Sequence, residues 1–310
     1  MRKTFRELLQ VSFKSADTEE WLDVHFTRPI GLVFALLWNR LGIHPNVITI
    51  LSIFLGVGAG VMFCYADLWH NVAGVILLML ANFCDSTDGQ MARLTGKKTL
   101  VGRVLDGFSG DLWFVAIYIA IIIRTGGMLQ PVMGWWGYVL MFALCYLAGV
   151  VCHSRQASLA DYYRQVHLFF LLGREGSELD TYEEQRRRYE SLPREQWFAR
   201  LFYYNYANYC RSQEQRTPQF QAFFREVRSR YGDASAIPQT LRDEFRAGSL
   251  PLMKYANLLS FNARAITIYV SCLLGVPFVY PLADITVFAA MYVYMKGRHE
   301  RHCLGLLRNS

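Results

Sequence analysis

The chain has 310 residues, of which 53% are hydrophobic, 15% are aromatic and only 18% are charged. This composition is too apolar for an ordinary soluble domain, so we expect an all-α polytopic membrane protein. The net charge of +7 does not indicate nucleic-acid binding, because no nucleic-acid motif is present and cytoplasmic loops beside anionic lipid account for it.

The N-terminal part, residues 1–43, combines a charged segment with an apolar one. The charges among residues 1–21 are too dense for a secretory signal, so we expect this segment to remain in the mature protein. Residues 30–43 are apolar, contain Trp38 and Arg40, and are too short to span a bilayer comfortably. They predict an N-terminal interfacial helix.

Six apolar stretches follow, each long enough or nearly long enough to supply the about 20 helical residues that cross a hydrocarbon core. We predict transmembrane helices near residues 47–66, 71–84, 100–123, 131–152, 258–276 and 282–295. The second and sixth stretches are short because they end at charged residues. Such an end is expected where a helix terminus lines a polar cavity.

Basic residues predict which connections are cytoplasmic. Those of the loop between the second and third spans and of the C-terminal tail are Arg93, Lys97, Lys98, Arg103, Lys296, Arg298, Arg301 and Arg308. The connections on the other side hold a single Arg. An even number of spans with both termini in the cytoplasm therefore fits the positive-inside rule, and the charged ends of the second and third spans face the cytoplasm.

A long polar stretch, residues 153–254, separates the fourth and fifth spans. It contains helical runs and aromatic clusters such as WFARLFYYNYANY, and it is only mildly basic, so we expect a folded cytoplasmic helical insertion whose aromatic residues pack in a core or an interface. The chain thus divides into residues 1–43, residues 44–152 with the first four spans, the insertion 153–254, and residues 255–310 with the last two spans and the tail.

Three aspartates lie at the ends of the second and third spans, where charge is costly. Asp85 and Asp88 are three residues apart and share a helix face, and Asp106 comes from the next helix across a loop. Ionisable residues in a membrane are functional candidates by default, and carboxylate oxygens suit hard cations. We therefore predict that the trio binds Mg²⁺ or Mn²⁺.

Small residues accompany the aspartates. Gly89 and Ala92 follow Asp88 by one and four positions, and Gly102 precedes Asp106 on the facing helix, so a nucleotide can approach both backbones closely. Arg93 offers a fixed fork of donors for a phosphate. These features suit displacement at phosphorus, in which paired metal ions neutralise a diphosphate.

Two further arginines are predicted to bind substrate. Arg103 directly follows Gly102, beside the predicted phosphate site. Arg264 lies with Asn262 inside the fifth span, where snorkelling to the interface is a weaker explanation, and we expect it to contact the acceptor. We interpret Asp284, in contrast, as a helix-start residue.

The aspartate and glycine residues form the pattern DxxDGxxAR, followed eight residues later by GxxxD. This pattern resembles the defining motif of the CDP-alcohol phosphotransferase family, and HPNVIT at residues 44–49 resembles the family's PNxxT sequence at the start of the first span. The resemblance covers the chain apart from the insertion. It implies six membrane helices and a phosphotransferase activity.

The resemblance also implies roles for individual residues. Asp85, Asp88 and Asp106 are expected to bind two divalent ions. The residues expected at the CDP moiety are Asn46, Thr49, Gly89, Ala92, Arg93 and Gly102. The implied reaction is attack by an alcohol hydroxyl on the phosphorus of a CDP-linked alcohol, with release of CMP. Family members often form homodimers, so a homodimer is a further expectation.

The sequence departs from the family pattern at the fourth aspartate, which is the family's catalytic base. That residue is expected four positions after Asp106, where this chain has Gly110, and Asp111 follows one residue late. In a regular helix Asp111 points about 140° away from Asp106. We expect a π-bulge, flanked by Gly107 and Gly110, to return Asp111 to the metal-facing side as catalytic base and fourth metal ligand.

The alternative is that no bulge forms. Asp106, or a phosphate of the substrate, then has to accept the proton of the hydroxyl. On the bulge hypothesis, Asp111→Asn abolishes turnover and leaves CDP-alcohol binding measurable.

The resemblance leaves the two substrates open. The lipid is either the donor, as CDP-diacylglycerol with inositol, inositol phosphate, glycerol phosphate or serine, or the acceptor, as diacylglycerol or ceramide with a CDP-linked head group such as CDP-inositol. Arg28-Pro29-Ile30 resembles bacterial members that handle inositol phosphate, so we expect an inositol-type head group and a bacterial inner membrane location.

Two other classes of protein remain as alternatives. Membrane prenyltransferases also hold a diphosphate with aspartates and Mg²⁺, but they usually have two aspartate-rich motifs, and this chain has one. A non-catalytic cation-binding membrane protein leaves the Gly89, Ala92 and Gly102 pattern unexplained. Neither alternative predicts that CMP with Mn²⁺ protects the protein thermally.

Overall fold

The computed structural model describes residues 4–12, 15, 17–96, 99–232 and 234–309. Within these residues every regular element is helical, which confirms the all-α class. The chain divides into two compact units. The first comprises Met1–Ser154 and Phe261–Val287, and the second comprises Arg155–Ser260 and Phe288–Ser310.

The α-helices in chain order are α1 (Phe5–Ser12), α2 (Arg28–Arg40), α3 (Pro45–Phe63), α4 (Leu68–Thr95), α5 (Leu100–Met133), α6 (Trp136–Tyr146), α7 (Ser154–Leu172), α8 (Tyr182–Ser191), α9 (Trp197–Arg216), α10 (Pro218–Tyr231), α11 (Gln239–Leu258), α12 (Phe261–Leu273), α13 (Val279–Ala283) and α14 (Ala289–Asn309). Three π-helical segments, Asp23–Thr27, Leu147–His153 and Asp284–Phe288, join α-helical stretches without a break.

In the described part of the chain, four helices are long and apolar enough to cross a membrane. They are Pro45–Phe63, Leu68–Thr95, Leu100–Met133 and Trp136–Leu172, the last being α6 and α7 joined by a π-helical segment. They indicate a multi-pass membrane protein. In the region of the fifth predicted span, α12 has only 13 residues. The count of six spans therefore stays a prediction.

Helix α4 is longer than the second predicted apolar stretch. Helix α4 does not stop near residue 84 but continues to Thr95, so Asp85 and Asp88 lie inside the helix and Arg93 lies in its last turn. A continuous helix satisfies its backbone hydrogen bonds within the segment, which an apolar environment demands. The helix ends only at Gly96, whose φ of 68° is left-handed. Lys97 and Lys98 lie outside the described residues.

Helix α3 packs against both α4 and α5, and small residues make the second contact close. A Cβ atom on Gly60 would lie 2.7 Å from the Cβ atom of Ala116 and 2.9 Å from its carbonyl carbon. A Cβ atom on Gly56 would overlap the indole of Trp113. The GVGAG sequence of α3 thus permits the small-residue packing that membrane helices use in place of a hydrophobic driving force.

Capping residues fix where α3 and α5 begin. Nδ1 of His44 accepts a hydrogen bond from the backbone N–H of Asn46 at 3.2 Å, and Pro45 occupies the first turn of α3. The hydroxyl of Thr99 accepts a hydrogen bond from the backbone N–H of Gly102 at 2.9 Å. These caps place Asn46 and Gly102 in the first turns of their helices.

The second unit has an aromatic core. Phe170, Phe220, Phe223 and Phe245 are all fully buried, and the rings of Phe170 and Phe245 stack with centroids 4.0 Å apart. In this unit α14 packs against α10 and α11. The predicted helical character of the insertion is confirmed, while its boundaries and its cytoplasmic location stay predictions.

Candidate metal and nucleotide site

Three carboxylates from two helices meet in the first unit. One oxygen each of Asp85, Asp88 and Asp106 lies within 4.8 Å of the others. Asp88 is buried, Asp85 is half-buried and Asp106 is exposed, so the group is open on the Asp106 side. Three negative charges this close repel one another unless a cation separates them, and oxygen-only ligands fit a hard divalent ion. The geometry therefore fits a Mg²⁺ or Mn²⁺ site.

Hydroxyl groups orient two of the carboxylates. The buried hydroxyl of Thr49 donates a hydrogen bond to Oδ2 of Asp88, which ties α3 to α4. Oγ of Ser109 lies 2.9 Å from Oδ1 of Asp85 and 2.8 Å from the backbone oxygen of Asp106. Such contacts fix the direction in which a carboxylate points.

Ser109 is a site residue that the sequence analysis missed. It is 1% exposed and lies three residues after Asp106, on the same face of α5. A signal was present, because a serine one turn from a predicted carboxylate ligand is well placed to reach that group.

The predicted nucleotide-binding residues lie beside the carboxylates along α3, α4 and α5. A Cβ atom on Gly102 would lie 2.8 Å from Oδ1 of Asn46 and 3.0 Å from the hydroxyl of Thr99, so the structure places Asn46 directly against Gly102. A Cβ atom on Gly89 would lie 3.5 Å from a terminal nitrogen of Arg93. Ala92 is half-buried, one residue before Arg93.

The predicted π-bulge is wrong. Helix α5 is α-helical without interruption from Leu100 to Met133, including the whole stretch between Asp106 and Asp111. Asp111 is exposed and does not belong to the group of three carboxylates. The physical reason is that each residue turns a regular helix by about 100°, so a carboxylate five positions after Asp106 faces another direction.

The two predicted substrate arginines lie in different environments. Arg103 is exposed in the first turn of α5. Arg264 is 0% exposed, and its guanidinium forms an ion pair with Asp284, which is also 0% exposed. Arg264 is thus engaged inside the protein, and its contact with the acceptor stays a prediction.

The interpretation of Asp284 as a helix-start residue is wrong. Asp284 lies inside a continuous helical stretch, between α13 and α14, and pairs with Arg264. It also accepts a hydrogen bond from the hydroxyl of Tyr118, which lies 3.2 Å from the hydroxyl of Tyr280. The sequence carried a signal for this network, because a carboxylate and a guanidinium in apolar segments need each other as partners.

Comparison with known proteins shows which family part of this chain is similar to. Residues 42–172 match the sequence profile of the family described as CDP-alcohol phosphatidyltransferase. An uncharacterized protein of Aquifex aeolicus is 36% identical to this chain over 84 residues, which are 26% of this chain and 41% of that protein.

Two relatives with descriptive names are also similar. The CDP-diacylglycerol–glycerol-3-phosphate 3-phosphatidyltransferase of Cereibacter sphaeroides is 34% identical over 85 residues, 27% of this chain and 38% of the relative. The archaetidylinositol phosphate synthase of Aeropyrum pernix is 28% identical over 113 residues, 33% of this chain and 57% of the relative. The chain thus spans less than two thirds of the length of each relative that it matches.

Proposed function

We propose that the protein transfers a substituted phosphate from a CDP-linked alcohol to the hydroxyl of a second alcohol, because residues 42–172 match the profile of the CDP-alcohol phosphatidyltransferase family. The new bond joins the acceptor oxygen to phosphorus, and the bond from phosphorus to the CMP oxygen breaks. CMP leaves, and the product is a phospholipid or a related membrane lipid. The observation that carries this proposal is the group of three carboxylates inside the matched domain.

Asp85, Asp88 and Asp106 are proposed as the ligands of two divalent ions, Mg²⁺ or Mn²⁺. When bound, such ions supply the positive charge that a diphosphate needs during displacement at phosphorus. Thr49 and Ser109 hold two of the ligands in place before any substrate arrives, through their contacts with Asp88 and Asp85. This support avoids the cost of reorienting the carboxylates during the reaction.

The CDP moiety is proposed to lie along the small residues of α4 and α5. The absence of a side chain at Gly89 and the small side chain of Ala92 leave room for cytidine and its phosphates, and the absence of one at Gly102 leaves room for the side chain of Asn46. Asn46 lies against Gly102 and offers an amide that both donates and accepts hydrogen bonds. Arg93 is proposed to bind phosphate oxygens from the last turn of α4.

We propose Asp106, and not Asp111, as the group that takes the proton of the attacking hydroxyl. Asp106 is the exposed member of the carboxylate group, so an acceptor reaches it most directly. Asp111 lies on another face of an uninterrupted α-helix. A carboxylate that accepts a proton from a hydroxyl must lie within hydrogen-bond reach of it.

The substrates are proposed from the names of two relatives. One is named for CDP-diacylglycerol and glycerol-3-phosphate, and the other for archaetidylinositol phosphate. The first name contains a lipid-linked donor and a phosphorylated polyol, and the second contains an inositol phosphate lipid, so we propose CDP-diacylglycerol with an inositol-type acceptor. Arg103, exposed beside Gly102, is proposed to bind the phosphate of the acceptor. CDP-inositol with diacylglycerol or ceramide is the alternative pairing.

The test supplies membranes containing the protein with CDP-diacylglycerol or CDP-inositol and, in turn, inositol, inositol phosphate, glycerol phosphate, serine, diacylglycerol and ceramide. CMP release and the mass of the lipid product are measured. We expect CMP and phosphatidylinositol phosphate from CDP-diacylglycerol with inositol phosphate, and neither product from an Asp85→Asn control. Release of CMP with glycerol phosphate alone would correct the acceptor, and no CMP release with any pair would refute the activity.

A binding measurement separates this activity from the other two classes of protein. We expect CMP with Mn²⁺ to raise the unfolding temperature of the purified protein, because a ligand that binds only the folded state stabilises it. Mn²⁺ alone would raise the unfolding temperature of any protein that binds this cation. A metal-dependent prenyltransferase and a non-catalytic cation site both predict no additional effect of CMP.

A further inference from the structure

Helix α9 carries an exposed apolar surface in the second unit. Five of the exposed large hydrophobic side chains described in the second unit lie on this helix, and the others are Leu172, Leu250, Leu258, Val293 and Tyr294. The five side chains on α9, which we call the α9 surface, are Trp197, Phe198, Leu201, Tyr204 and Tyr209. Single exposed hydrophobic residues are common on proteins, but five of them on one helix of a polar region call for a partner.

The spacing of the α9 surface separates it from the core. Trp197, Leu201 and Tyr204 follow each other by four and three residues, so they lie along one line of the helix, with exposures of 68%, 54% and 46%. The buried Cys210 lies on the other side of the helix, and the buried Ala207 lies between the two sides. The aromatic run was expected to pack in a core or an interface, and the structure divides it between a buried face and an exposed one.

Contacts inside the protein leave most of the α9 surface uncovered. Tyr204 has one side against Tyr189 of α8, with ring centroids 5.7 Å apart. The ring neighbour of Trp197 is Phe198, which belongs to the same surface. The turn that precedes the helix adds Pro193, Arg194 and Glu195, all exposed. The exposed apolar line of α9 therefore begins next to the guanidinium of Arg194.

We propose that the α9 surface contacts the headgroup region of the bilayer in which the protein is anchored. Tryptophan and tyrosine are the side chains enriched at membrane interfaces, because their rings are apolar and their N–H and O–H groups reach polar partners. Arg194 is placed to reach lipid phosphate while its stem lies along apolar surface. The surface thus matches a lipid headgroup layer in both its apolar and its charged parts.

Covalent connection favours the bilayer over a partner from solution. The continuous helix Trp136–Leu172 leads from an apolar membrane-spanning stretch into the second unit. A surface tethered in this way meets the membrane at a high effective concentration, so a few apolar side chains suffice for stable contact. A second copy of the chain has no such tether, and it is an outcome that the test below distinguishes.

The test uses the full-length protein reconstituted into vesicles of phosphatidylcholine and phosphatidylglycerol. Tryptophan fluorescence of the native protein and of Trp197→Phe is compared in vesicles with and without brominated acyl chains, and with iodide in the water. The difference between the two proteins isolates the signal of Trp197. Trp135→Phe is the matched control, because Trp135 is 77% exposed at the end of the membrane-spanning helix α5.

We expect the Trp197 signal to be lost with brominated lipid and retained with iodide, as for Trp135. Leu201→Trp in the Trp197→Phe background should restore a lipid-quenched signal, because it lies one turn further along the same line. Quenching of Trp197 by iodide but not by brominated lipid would overturn the proposal. A signal insensitive to both agents would also overturn it and would indicate a protein partner such as a second copy.

Discussion

Asp106 and Asp111 lie five residues apart on α5, and the proposal that Asp106 acts on the acceptor follows from this spacing. Asp106 shares an oxygen cluster with Asp85 and Asp88, whereas Asp111 is exposed outside that cluster. Because the helix is regular between them, the two carboxylates cannot serve one reacting centre from the same face.

We therefore predict opposite results for two conservative substitutions. Asp106→Asn should lower kcat by about 10²- to 10⁴-fold, which is the range that a positioned proton acceptor contributes. Asp111→Asn should change kcat by less than about tenfold, equivalent to less than 1.4 kcal/mol. Initial rates of CMP release from purified variants measure both. A loss for Asp111→Asn as large as that for Asp106→Asn would return the catalytic role to Asp111.

A second residue-scale prediction concerns His299 in the second unit. Its ring is fully buried and stacks on Tyr163 with centroids 3.8 Å apart. Burial lowers the pKa of His299, and the charges of His302 and His167 lower it further, against the opposing effect of Glu300. In the unfolded chain the pKa is the ordinary value of about 6.5.

The sign of the effect follows from these pKa values. Below about pH 6.5 the unfolded state binds a proton that the folded state does not, so stability present above that pH is lost as the pH falls. One such histidine contributes at most about 1.4 kcal/mol per pH unit. We expect the unfolding temperature to drop between about pH 6.5 and 5.5, and to drop less in His299→Phe, which keeps the stacked ring. An unchanged slope in that variant would exclude His299 as the source.

At the scale of the element, the register of α5 shows which position shares a face with Asp106. Gly110 lies four residues after Asp106 and therefore on the same face. A Cβ atom at Gly110 would meet nothing within 4 Å, so the first atom of a side chain fits there without moving its neighbours.

We predict that Gly110→Asp raises kcat, because it adds a carboxylate on the metal-facing side and leaves Asp111 in place. The control is Gly107→Ala, whose added Cβ atom also meets no other atom within 4 Å and adds no charge. Rates measured over a Mn²⁺ titration should show tighter metal dependence for Gly110→Asp. An inactive Gly110→Asp protein that still binds CMP would show that this chain does not use a fourth carboxylate at that position.

The contact between α3 and α5 gives a prediction about stability. In Gly60→Ala the new methyl group would lie 2.9 Å from the carbonyl carbon of Ala116, and backbone atoms do not yield easily. We expect a loss of about 1–3 kcal/mol, as for other overpacked sites. Gly58→Ala is the matched control on the same helix, because its methyl group would lie at an ordinary 3.7 Å from Leu77. Thermal unfolding in detergent compares them, and equal unfolding temperatures would contradict tight packing.

The sequence predicted the helices and the group of three carboxylates better than it predicted the extent of helix α4. Charge in an apolar segment and the spacing of Asp85, Asp88 and Asp106 are local properties, so the carboxylate group could be inferred directly. The end of α4 could not be inferred in this way, because the polar motif is partly buried and stays within the hydrogen-bonded helix up to Gly96.

Residues that act through tertiary contacts were harder to predict. The pairing of Arg264 with Asp284 joins positions twenty residues apart, and Tyr118 comes from a third segment. Each residue taken alone has several ordinary explanations. Only the requirement that buried charges be paired connects them, and it does not specify which partner is chosen.

At the scale of the whole molecule, the distribution of basic residues still predicts an even number of crossings with both termini in the cytoplasm. The four long apolar helices would already give an even number of membrane crossings. The two further predicted crossings depend on α12, which is short, and on the helical stretch from α13 into α14. A chain with four crossings and a chain with six would therefore place the turn at Gly275, between α12 and α13, on different sides of the membrane.

Reporter fusions distinguish the two topologies in a bacterial host. We predict that a fluorescent protein fused to the C-terminus emits light, which requires a cytoplasmic location, and that alkaline phosphatase fused after Asp67 is active, which requires an external one. Alkaline phosphatase fused after Gly275 should be active if α12 crosses the membrane, giving six spans. An inactive enzyme at Gly275 together with an active one at Asp67 would show four spans, and α12 would then be a helix that enters the bilayer from one side, as its 13 residues permit.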